Sequence, residues 1–179
     1  DSTPTEVLEA WGNGLPKLFT FTAQICVIMI TAHALAHTDP IERFLNRVGS
    51  LPNSQVHAYA IVAFVSGIAS LFAWSFGLIV GGLIAKFVAI GCQKKSIKVH
   101  YPLIVASAYS GYVIWHMGYS SSAALFVASE NHSLIDKIGI LPVTETIFSS
   151  FNIFMALATL LTITIVAPLM RPKDSNNII

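Results

Sequence analysis

Long stretches without Asp, Glu, Lys or Arg are the feature that most constrains this sequence. Four of them cover residues 18–38, 48–85, 99–129 and 146–170. About 20 apolar residues cross the hydrocarbon core of a bilayer, and a soluble domain usually carries about a quarter charged residues, whereas this chain carries 11%. The pattern predicts an all-α integral membrane protein. It argues against a soluble enzyme, a disordered tail and a disulfide-stapled secreted module.

Charge and cysteine content exclude further classes. The net charge is +1, so the chain offers no basic field for nucleic acid. Cys26 and Cys92 lie in or beside apolar stretches without the spacing of a zinc site, and we expect both to be packing residues. No Walker A or dinucleotide fingerprint occurs. We therefore expect neither ATP-driven pumping in this part of the chain nor a bound cofactor.

Many transporter folds are built from repeated halves, and 179 residues are about half of such a chain, so we expect residues 1–179 to form one partial transporter domain. Polar loops, one of which begins at Asp39, divide it into segments. The predicted spans are residues 18–35, 58–90, 101–128 and 146–170. The second is far too long for one crossing of about 30 Å at 1.5 Å per residue. Irregular backbone at membrane depth is tolerated only where protein or water satisfies it. We therefore predict a re-entrant helical hairpin with its tip near Trp74 to Gly77, and two full spans are the alternative.

The third span, residues 101–128, is interrupted by the run Gly118-Tyr-Ser-Ser-Ser122. We predict a discontinuous helix whose second half begins near Ser122. The start of a half-helix presents unpaired N–H groups and a positive dipole end, which suit an anion, and hydroxyls add neutral donors. Gly118, Ser120, Ser121 and Ser122 are therefore candidate substrate- or ion-binding residues. The alternative is that these small residues line a helix–helix contact.

The hairpin tip is the predicted opposite wall of that site. Trp74, Ser75, Phe76 and Gly77 combine backbone freedom with aromatic rings that can flank a short apolar tail and exclude water. The alternative is an aromatic cluster in the helix core. His116, beside the serines, is a candidate proton relay because an intramembrane histidine is a functional candidate by default.

The remaining histidines occupy the ends of segments. His33 and His37 are four residues apart, so they share a helix face and could bind metal or haem, but no third ligand accompanies them. We expect a polar role at the helix end instead. His57, His100 and His132 are expected to be solvated.

Two polar residues belong to the last span. We expect Glu145 either to cap that helix at its positive end or to face a vestibule, and the cap is the preferred interpretation. Asn152 lies about one turn into the span, so it needs a hydrogen-bond partner inside the bundle.

Basic residues orient the chain by the positive-inside rule. With a hairpin, or with two full spans in its place, seven of them fall on one face and Lys17 and Lys137 fall on the other. The seven are Arg43, Arg47, Lys94, Lys95, Lys98, Arg171 and Lys173. This asymmetry predicts that the loops carrying the seven residues lie in the cytoplasm.

An ordered set of motifs covers nearly the whole chain. They are Trp11-Gly-Asn-Gly14, Thr31-Ala-His-Ala-Leu-Ala36, Trp74-Ser-Phe-Gly-Leu-Ile-Val-Gly81, Tyr101-Pro-Leu-Ile-Val-Ala-Ser-Ala-Tyr109, Gly118-Tyr-Ser-Ser-Ser122, Leu141-Pro-Val-Thr-Glu-Thr146 and Phe148-Ser-Ser-Phe-Asn152. In these motifs the chain resembles the short-chain fatty acid uptake transporters of the ion transporter superfamily. It departs from the family pattern at Ala73 and Ser75, where Asn and Gly are usual, and at Ser121 and Ala124, where Gly and Pro are usual.

The resemblance implies one inverted-repeat half of a secondary transporter in a bacterial cytoplasmic membrane, without the first helix and the second half of a longer polypeptide. It implies uptake of carboxylates such as butyrate or acetoacetate, coupled to H⁺ or Na⁺, and no enzymatic activity. Ser120 and Ser122 would contact the carboxylate or the coupling ion, opposite Trp74 to Gly77. The expected partners are the carboxylate, the lipid bilayer and the remaining half, and a homodimer is left open.

Two other functions stay open at this point. One is an intramembrane serine hydrolase, because Gly118-Tyr-Ser120-Ser resembles the nucleophile stretch of membrane-embedded proteases, with His132 as the base. The other is a membrane haem-binding helix bundle that uses pairs such as His33 and His37.

Overall fold

The computed structural model describes residues 3–130 and 132–172, and every regular element in this part of the chain is helical. The first four helices are α1 (Pro4–Ala36), α2 (Asp39–Gly49), α3 (Gln55–Phe72) and α4 (Trp74–Lys94). Helix α5 (Tyr101–Ser110) continues as a 3-10 helix (Gly111–Met117), followed by α6 (Ser122–Val127), α7 (Ile135–Ile138) and α8 (Ser150–Leu169). The predicted all-α class is confirmed.

Four of these helices, α1, α3, α4 and α8, are long and apolar enough to cross a membrane. The protein is therefore a multi-pass membrane protein. Helix α1 begins far before residue 18 because Thr3 and Glu6 form a capping box and Pro4 occupies its first turn. Its 33 residues extend for about 50 Å at 1.5 Å per residue. Lys17, directly before the predicted start of the span, is consequently a residue of this helix.

The polar loop expected after α1 is largely a helix, α2, so that prediction was wrong. Ile41, Leu45 and Val48 recur at helical spacing, and Leu45 is only 1% exposed because this face packs on α4. The two helices approach so closely that a Cβ added to Gly91 would lie 1.9 Å from the Gly49 carbonyl oxygen. The helix was not predicted because its polar residues and short length made its helical periodicity hard to recognise in the sequence.

Helices α3 and α4 form an antiparallel hairpin. The turn is at Ala73, whose backbone is extended (φ −156°, ψ 139°), and the arms pack with Gly77 against Ser70 and Gly81 against Ser66. The arms have 18 and 21 residues, or about 27 and 31 Å. The turn lies directly before the tip predicted at Trp74 to Gly77. The choice between a re-entrant hairpin and two full spans stays a prediction.

Two apolar clusters hold the helices together. The larger joins α2, α3, α4 and α5 through residues such as Tyr59, Ile84, Val88 and Ile104, all fully buried. The smaller joins the 3-10 helix to α8 through Ile114, Ala156 and Leu160. The hairpin turn and the interruption after Met117 are therefore held at one end of the molecule, which we name the junction end.

The opposite end carries most of the positive charge and is named the basic end. Lys95 Nζ donates hydrogen bonds to the Ser50 and Pro52 carbonyl oxygens and to Asn53 Oδ1, which ties the end of α4 to the loop between α2 and α3. The end of α8 lies beside the start of α5, since Met170 and Leu103 line one groove. Six of the seven residues predicted for one face therefore lie at this end: Arg43, Arg47, Lys94, Lys95, Lys98 and Arg171. Lys173, the seventh, lies outside the described residues.

Candidate functional site

The structure brings the two predicted clusters into direct contact at the junction end. The Trp74 N–H donates to Ser120 Oγ (2.9 Å), and the Tyr119 N–H donates to the Leu71 carbonyl oxygen (2.8 Å). Both bonds join the hairpin turn to the non-helical residues that interrupt the third segment. We call residues 71–74 and 118–121 together the junction.

Two of the predicted site glycines lie at close backbone approaches. A Cβ on Gly118 would lie 2.2 Å from the Leu71 carbonyl oxygen, and a Cβ on Gly77 would lie 2.1 Å from Ser70 Oγ. Neither distance is compatible with a side chain. These glycines therefore allow the junction and the hairpin to close, and a contact of either with a ligand stays a prediction.

Two helices begin at this site: α6 begins at Ser122, where the second half-helix was predicted to start, and α4 begins at Trp74. Helix α6 has only six residues, whereas α4 has 21 residues and begins at Trp74. A longer run of aligned peptide units carries the fuller dipole. Ala73 has no side chain that can cap α4, so Ser120, from another segment, accepts the first N–H in its place. The positive helix end at this site therefore belongs to the hairpin.

The other predicted residues surround this contact at different depths. Ser75, in the first turn of α4, is 8% exposed and Ser121 is 4% exposed. Phe76 is half-buried, and Ser122 is exposed on α6. Ser121 donates its N–H to the Gly118 carbonyl oxygen (3.0 Å), which closes the turn between the 3-10 helix and α6.

Two cavities flank the junction, with volumes of about 490 and 310 Å³. Both fall within the range of about 300–1,000 Å³ that is usual for small-ligand pockets. The larger is lined mainly by apolar side chains, among them Ile68, Leu71, Phe72, Ile153, Ala156 and Leu157. The lining of the smaller is also largely apolar but includes polar groups from His116, Ser121, Thr146 and Asn152, so we call the larger the apolar cavity and the smaller the polar cavity. Ile147 and Asn152 line both cavities and form the wall between them.

Asn152 holds this wall in place. Its Nδ2 donates to the Met117 carbonyl oxygen (2.8 Å) and to the Ile147 carbonyl oxygen (2.8 Å). Met117 is the last residue of the 3-10 helix, so the amide satisfies a carbonyl that the interruption leaves without a helical partner. The expected partner inside the bundle is confirmed. Sequence reasoning missed that Asn152 belongs to the site, although an amide in an apolar helix is a signal for it.

The final helix is capped differently from the prediction. Helix α8 begins at Ser150, and its N-cap is Ser149, whose hydroxyl accepts the Asn152 N–H (3.2 Å). Glu145 is exposed in the preceding turn. The prediction of a Glu145 cap was wrong because a serine directly before the helix has the shorter reach that an N-cap requires.

His116 lies at the mouth of the polar cavity. Its ring contacts Trp115, with 3.6 Å between the ring centroids, and the side chain is exposed. The structure thus places an ionisable group within the same cavity as Ser121. A proton-relay role for His116 stays a prediction.

His132 and His100 were expected to be solvated, and the structure contradicts this expectation for both. His132 is 2% exposed; its Nε2 pairs with the Gly139 carbonyl oxygen (3.0 Å) and its Nδ1 accepts the Leu134 N–H (3.2 Å). The ring organises the loop that precedes α8. His100 is half-buried, and its backbone N–H donates to Tyr59 Oη (2.9 Å).

The contacts of His132, His33 and His37 bear on the two alternative functions. Both ring nitrogens of His132 are occupied, so the base proposed for a serine hydrolase is not free to act on Ser120. The rings of His33 and His37 are tilted by 44° to each other, with 4.3 Å between their centroids. Across residues 3–130 and 132–172, no group of three or more His, Cys, Asp or Glu side chains is placed to hold a metal ion.

Comparisons with known proteins give a consistent result. The sequence profile of a family described as "Short chain fatty acid transporter" matches residues 1–178. Proteins of Escherichia coli (strain K12) and Haemophilus influenzae, both provisionally named short-chain fatty acid transporter, are each 33% identical over 97% of this chain. The chain spans 39% and 40% of the length of these curated relatives. No solved structure matches the chain significantly.

Proposed function

Because this chain belongs to the short-chain fatty acid transporter family, and not to a family of enzymes, we propose that its junction forms part of the path of a short carboxylate through the membrane. The substrates would be acids such as butyrate or acetoacetate. Uptake would be secondary transport across the bacterial cytoplasmic membrane, coupled to H⁺ or Na⁺. The single observation that carries the proposal is the pairing of a polar and an apolar cavity on either side of the junction.

The polar cavity would take the carboxylate. Asn152 donates both hydrogens of its amide nitrogen to backbone carbonyl oxygens, so it cannot donate to an anion. Ser121 and His116 are the donors that remain in this cavity, and the Ser120 hydroxyl can still donate after it has accepted the Trp74 N–H. Neutral donors hold an anion without burying a fixed positive charge, which would bind it too tightly to release.

The apolar cavity would take the hydrocarbon stub. Its walls come from α3, α8 and the junction, with Leu71, Phe72 and Leu157 among them. Its volume of about 490 Å³ exceeds what a two- to four-carbon chain fills, so a second half of the transporter would be needed to close it. That second half would be related to this one as an inverted repeat, and alternating access would move one half against the other.

The coupling ion would enter the same site. A proton could be carried by His116, which lines the polar cavity with Ser121. Sodium would instead need oxygen ligands such as the hydroxyls of Ser120, Ser121 and Ser122. Uptake measured with a sodium gradient alone and with a proton gradient alone distinguishes these two cases.

The proposal is tested by uptake of labelled butyrate into cells that express the protein from its complete reading frame. Loss of a hydrogen bond to a charged group costs about 1.5–3 kcal/mol, so Ser121→Ala is expected to lower uptake by about tenfold or more. Ser122→Ala is expected to lower uptake as well. Ser133→Ala, in the exposed loop before α7, is the matched control and should transport normally.

Unchanged uptake by Ser121→Ala at equal expression would contradict the assignment of the polar cavity. The apolar cavity has its own test. Leu157→Phe adds volume to a wall that Leu157 shares with Ile153, so it should reduce butyrate uptake more than acetate uptake. An equal reduction for both acids would remove the proposed role of that cavity in chain-length selection.

A further inference from the structure

A third groove lies at the basic end, away from the junction. It has a volume of about 300 Å³ and runs between α5 and α8. Its lining is apolar or carries small hydroxyls, from Leu103, Ala106, Ser107, Thr162, Val166 and Met170. Helix α8 is one of the helices long and apolar enough to cross the membrane. A groove along this helix is therefore adjacent to the acyl chains of the bilayer.

Two exposed cations lie close in the chain to residues that line this groove. Arg171 directly follows Met170, which lines the groove, and Arg171 Nη1 donates to the Pro168 carbonyl oxygen (3.5 Å). Lys98 lies five residues before Leu103, which lines the opposite wall. Both side chains are exposed. A lysine and an arginine are therefore close in sequence to the end of the groove that Leu103 and Met170 line, and we call this end its mouth.

Positive charge exceeds negative charge among the described residues of the basic end. No Asp or Glu occurs between Arg43 and Ser129 or between Ser150 and Pro172, and those stretches contain every helix from α3 to α6 as well as α8. The described acids at this end, Asp39 and Glu42, lie in the first turn of α2. Arg47, Lys94 and Lys95 add further positive charge, and Lys95 is bonded to uncharged oxygens. The apolar groove thus lies at an end of the molecule where six described cations outnumber two described acids, and Lys173 and Asp174 lie outside the described residues.

We propose that this groove binds one anionic phospholipid. The headgroup phosphate lies between Lys98 and Arg171, and one acyl chain lies in the groove between α5 and α8. The charge of the mouth is complementary to a phosphate, and the apolar lining is complementary to a chain. Free phosphate satisfies only the first half of the site, and a zwitterionic lipid satisfies the second half with little net attraction.

The site is tested by binding of fluorescently labelled phosphatidylglycerol to the purified protein, expressed from its complete reading frame. Each cation near an anionic lipid surface contributes about 1 kcal/mol, which corresponds to about a fivefold change in affinity. The double variant Lys98→Gln/Arg171→Gln is therefore expected to bind about thirtyfold more weakly. Lys137→Gln, at the junction end, is the matched control and should bind normally. Unlabelled phosphatidylglycerol should compete far better than phosphatidylcholine or glycerol phosphate.

A second pair of variants separates charge from folding and tests the groove. Lys98→Arg/Arg171→Lys keeps both charges and should bind within about twofold of the unchanged protein. Ala106→Phe fills the groove without altering charge and should weaken phosphatidylglycerol binding. Undiminished binding by the double glutamine variant, equal competition by phosphatidylcholine, or undiminished binding by Ala106→Phe would each overturn the proposal. Equal competition by phosphatidylcholine would also identify a nonselective lipid surface. Undiminished binding by Ala106→Phe would also indicate that another part of the polypeptide occupies the groove.

Discussion

The two ends of this molecule are held together by different means. At the basic end, regular helices pack side by side, with Gly49 of α2 against Gly91 of α4, and a lysine side chain fastens a loop. At the junction end, two interrupted segments meet through backbone and hydroxyl hydrogen bonds, such as the bond from the Trp74 N–H to Ser120 Oγ. The described acids Glu130, Asp136 and Glu145 lie in the loop at the junction end.

The difference follows from where backbone polar groups are satisfied. A continuous helix satisfies its own N–H and C=O groups, so the basic end can rely on apolar packing. An interruption leaves such groups free, and other parts of the chain must bind them. Ser120 and Asn152 do this at the junction. The same requirement places polar groups inside the membrane region. In the proposed function these groups also bind a carboxylate or an ion.

The largest expected effect comes from adding a methyl group at Gly118, within the junction. Gly118→Ala places a Cβ about 2.2 Å from the Leu71 carbonyl oxygen, and the backbone there cannot move aside like a flexible side chain. We expect a loss of about 3 kcal/mol in the free energy of unfolding, at the upper end of overpacking costs, and loss of butyrate uptake. Thermal unfolding in detergent and uptake in cells measure the two effects.

Gly82→Ala is the matched control for Gly118→Ala. No atom lies within 4 Å of a Cβ added at Gly82, and alanine has a higher helix propensity than glycine by up to about 1 kcal/mol. This variant should be as stable as the original protein or slightly more stable. A fully active Gly118→Ala variant would show that the close approach at the junction is not needed for transport.

An intermediate effect is expected at Asn152, which joins α8 to the junction. Asn152→Leu keeps a similar volume but leaves the Met117 and Ile147 carbonyl oxygens without the amide donor. Unpaired buried polar groups cost about 1–3 kcal/mol, so we expect a fall of about 2 kcal/mol in the free energy of unfolding and a clear fall in uptake. Denaturant titration and uptake assays measure these changes.

Thr164→Val serves as the control for Asn152→Leu. The Thr164 hydroxyl donates to the Leu160 carbonyl oxygen within the same helix (2.7 Å), so its loss leaves the helical bonds intact. Stability and uptake should change little. If Thr164→Val lowered stability and uptake as much as Asn152→Leu does, the effect of Asn152→Leu could not be assigned to the contact at the junction end.

The smallest effect is expected at the basic end. Lys95→Met removes the hydrogen bonds to the Ser50 and Pro52 carbonyl oxygens and to Asn53. These groups lie near the surface, where water can replace the lysine, so the free energy of unfolding should fall by less than about 1 kcal/mol. Lys94→Met is the control. Normal uptake by both variants is expected, and a transport defect of Lys95→Met at normal stability would connect the basic end to the path.

The sequence predicted several particular features of the fold. The polar run at Gly118 to Ser122 indicated an interruption, and the structure places non-helical residues there. The need of Asn152 for a buried partner also followed from an amide in an apolar helix. These predictions succeed because a polar group in an apolar segment must find a partner whatever the rest of the fold is.

Other features depended on neighbours that a sequence does not name. Helix α2 forms because Leu45 and Val48 find an apolar surface on α4, and a short polar stretch does not reveal that surface. His132 becomes buried because the Gly139 carbonyl oxygen lies within reach of its ring. Glu145 stands away from the helix that it was expected to cap, because Ser149 occupies that place. Each of these errors concerns residues in the polar stretches between the predicted spans.

The sequence by itself determined that this chain is a helical membrane protein and where its helices are interrupted, because apolar length and isolated polar residues impose these features locally. Only the tertiary structure decided that the hairpin turn meets the interruption, that Ser120 accepts the first N–H of α4, and that Asn152 stands between two cavities. Those contacts form because glycines allow segments that are distant in the sequence to approach closely. The order of the residues along the chain does not show which segments will meet.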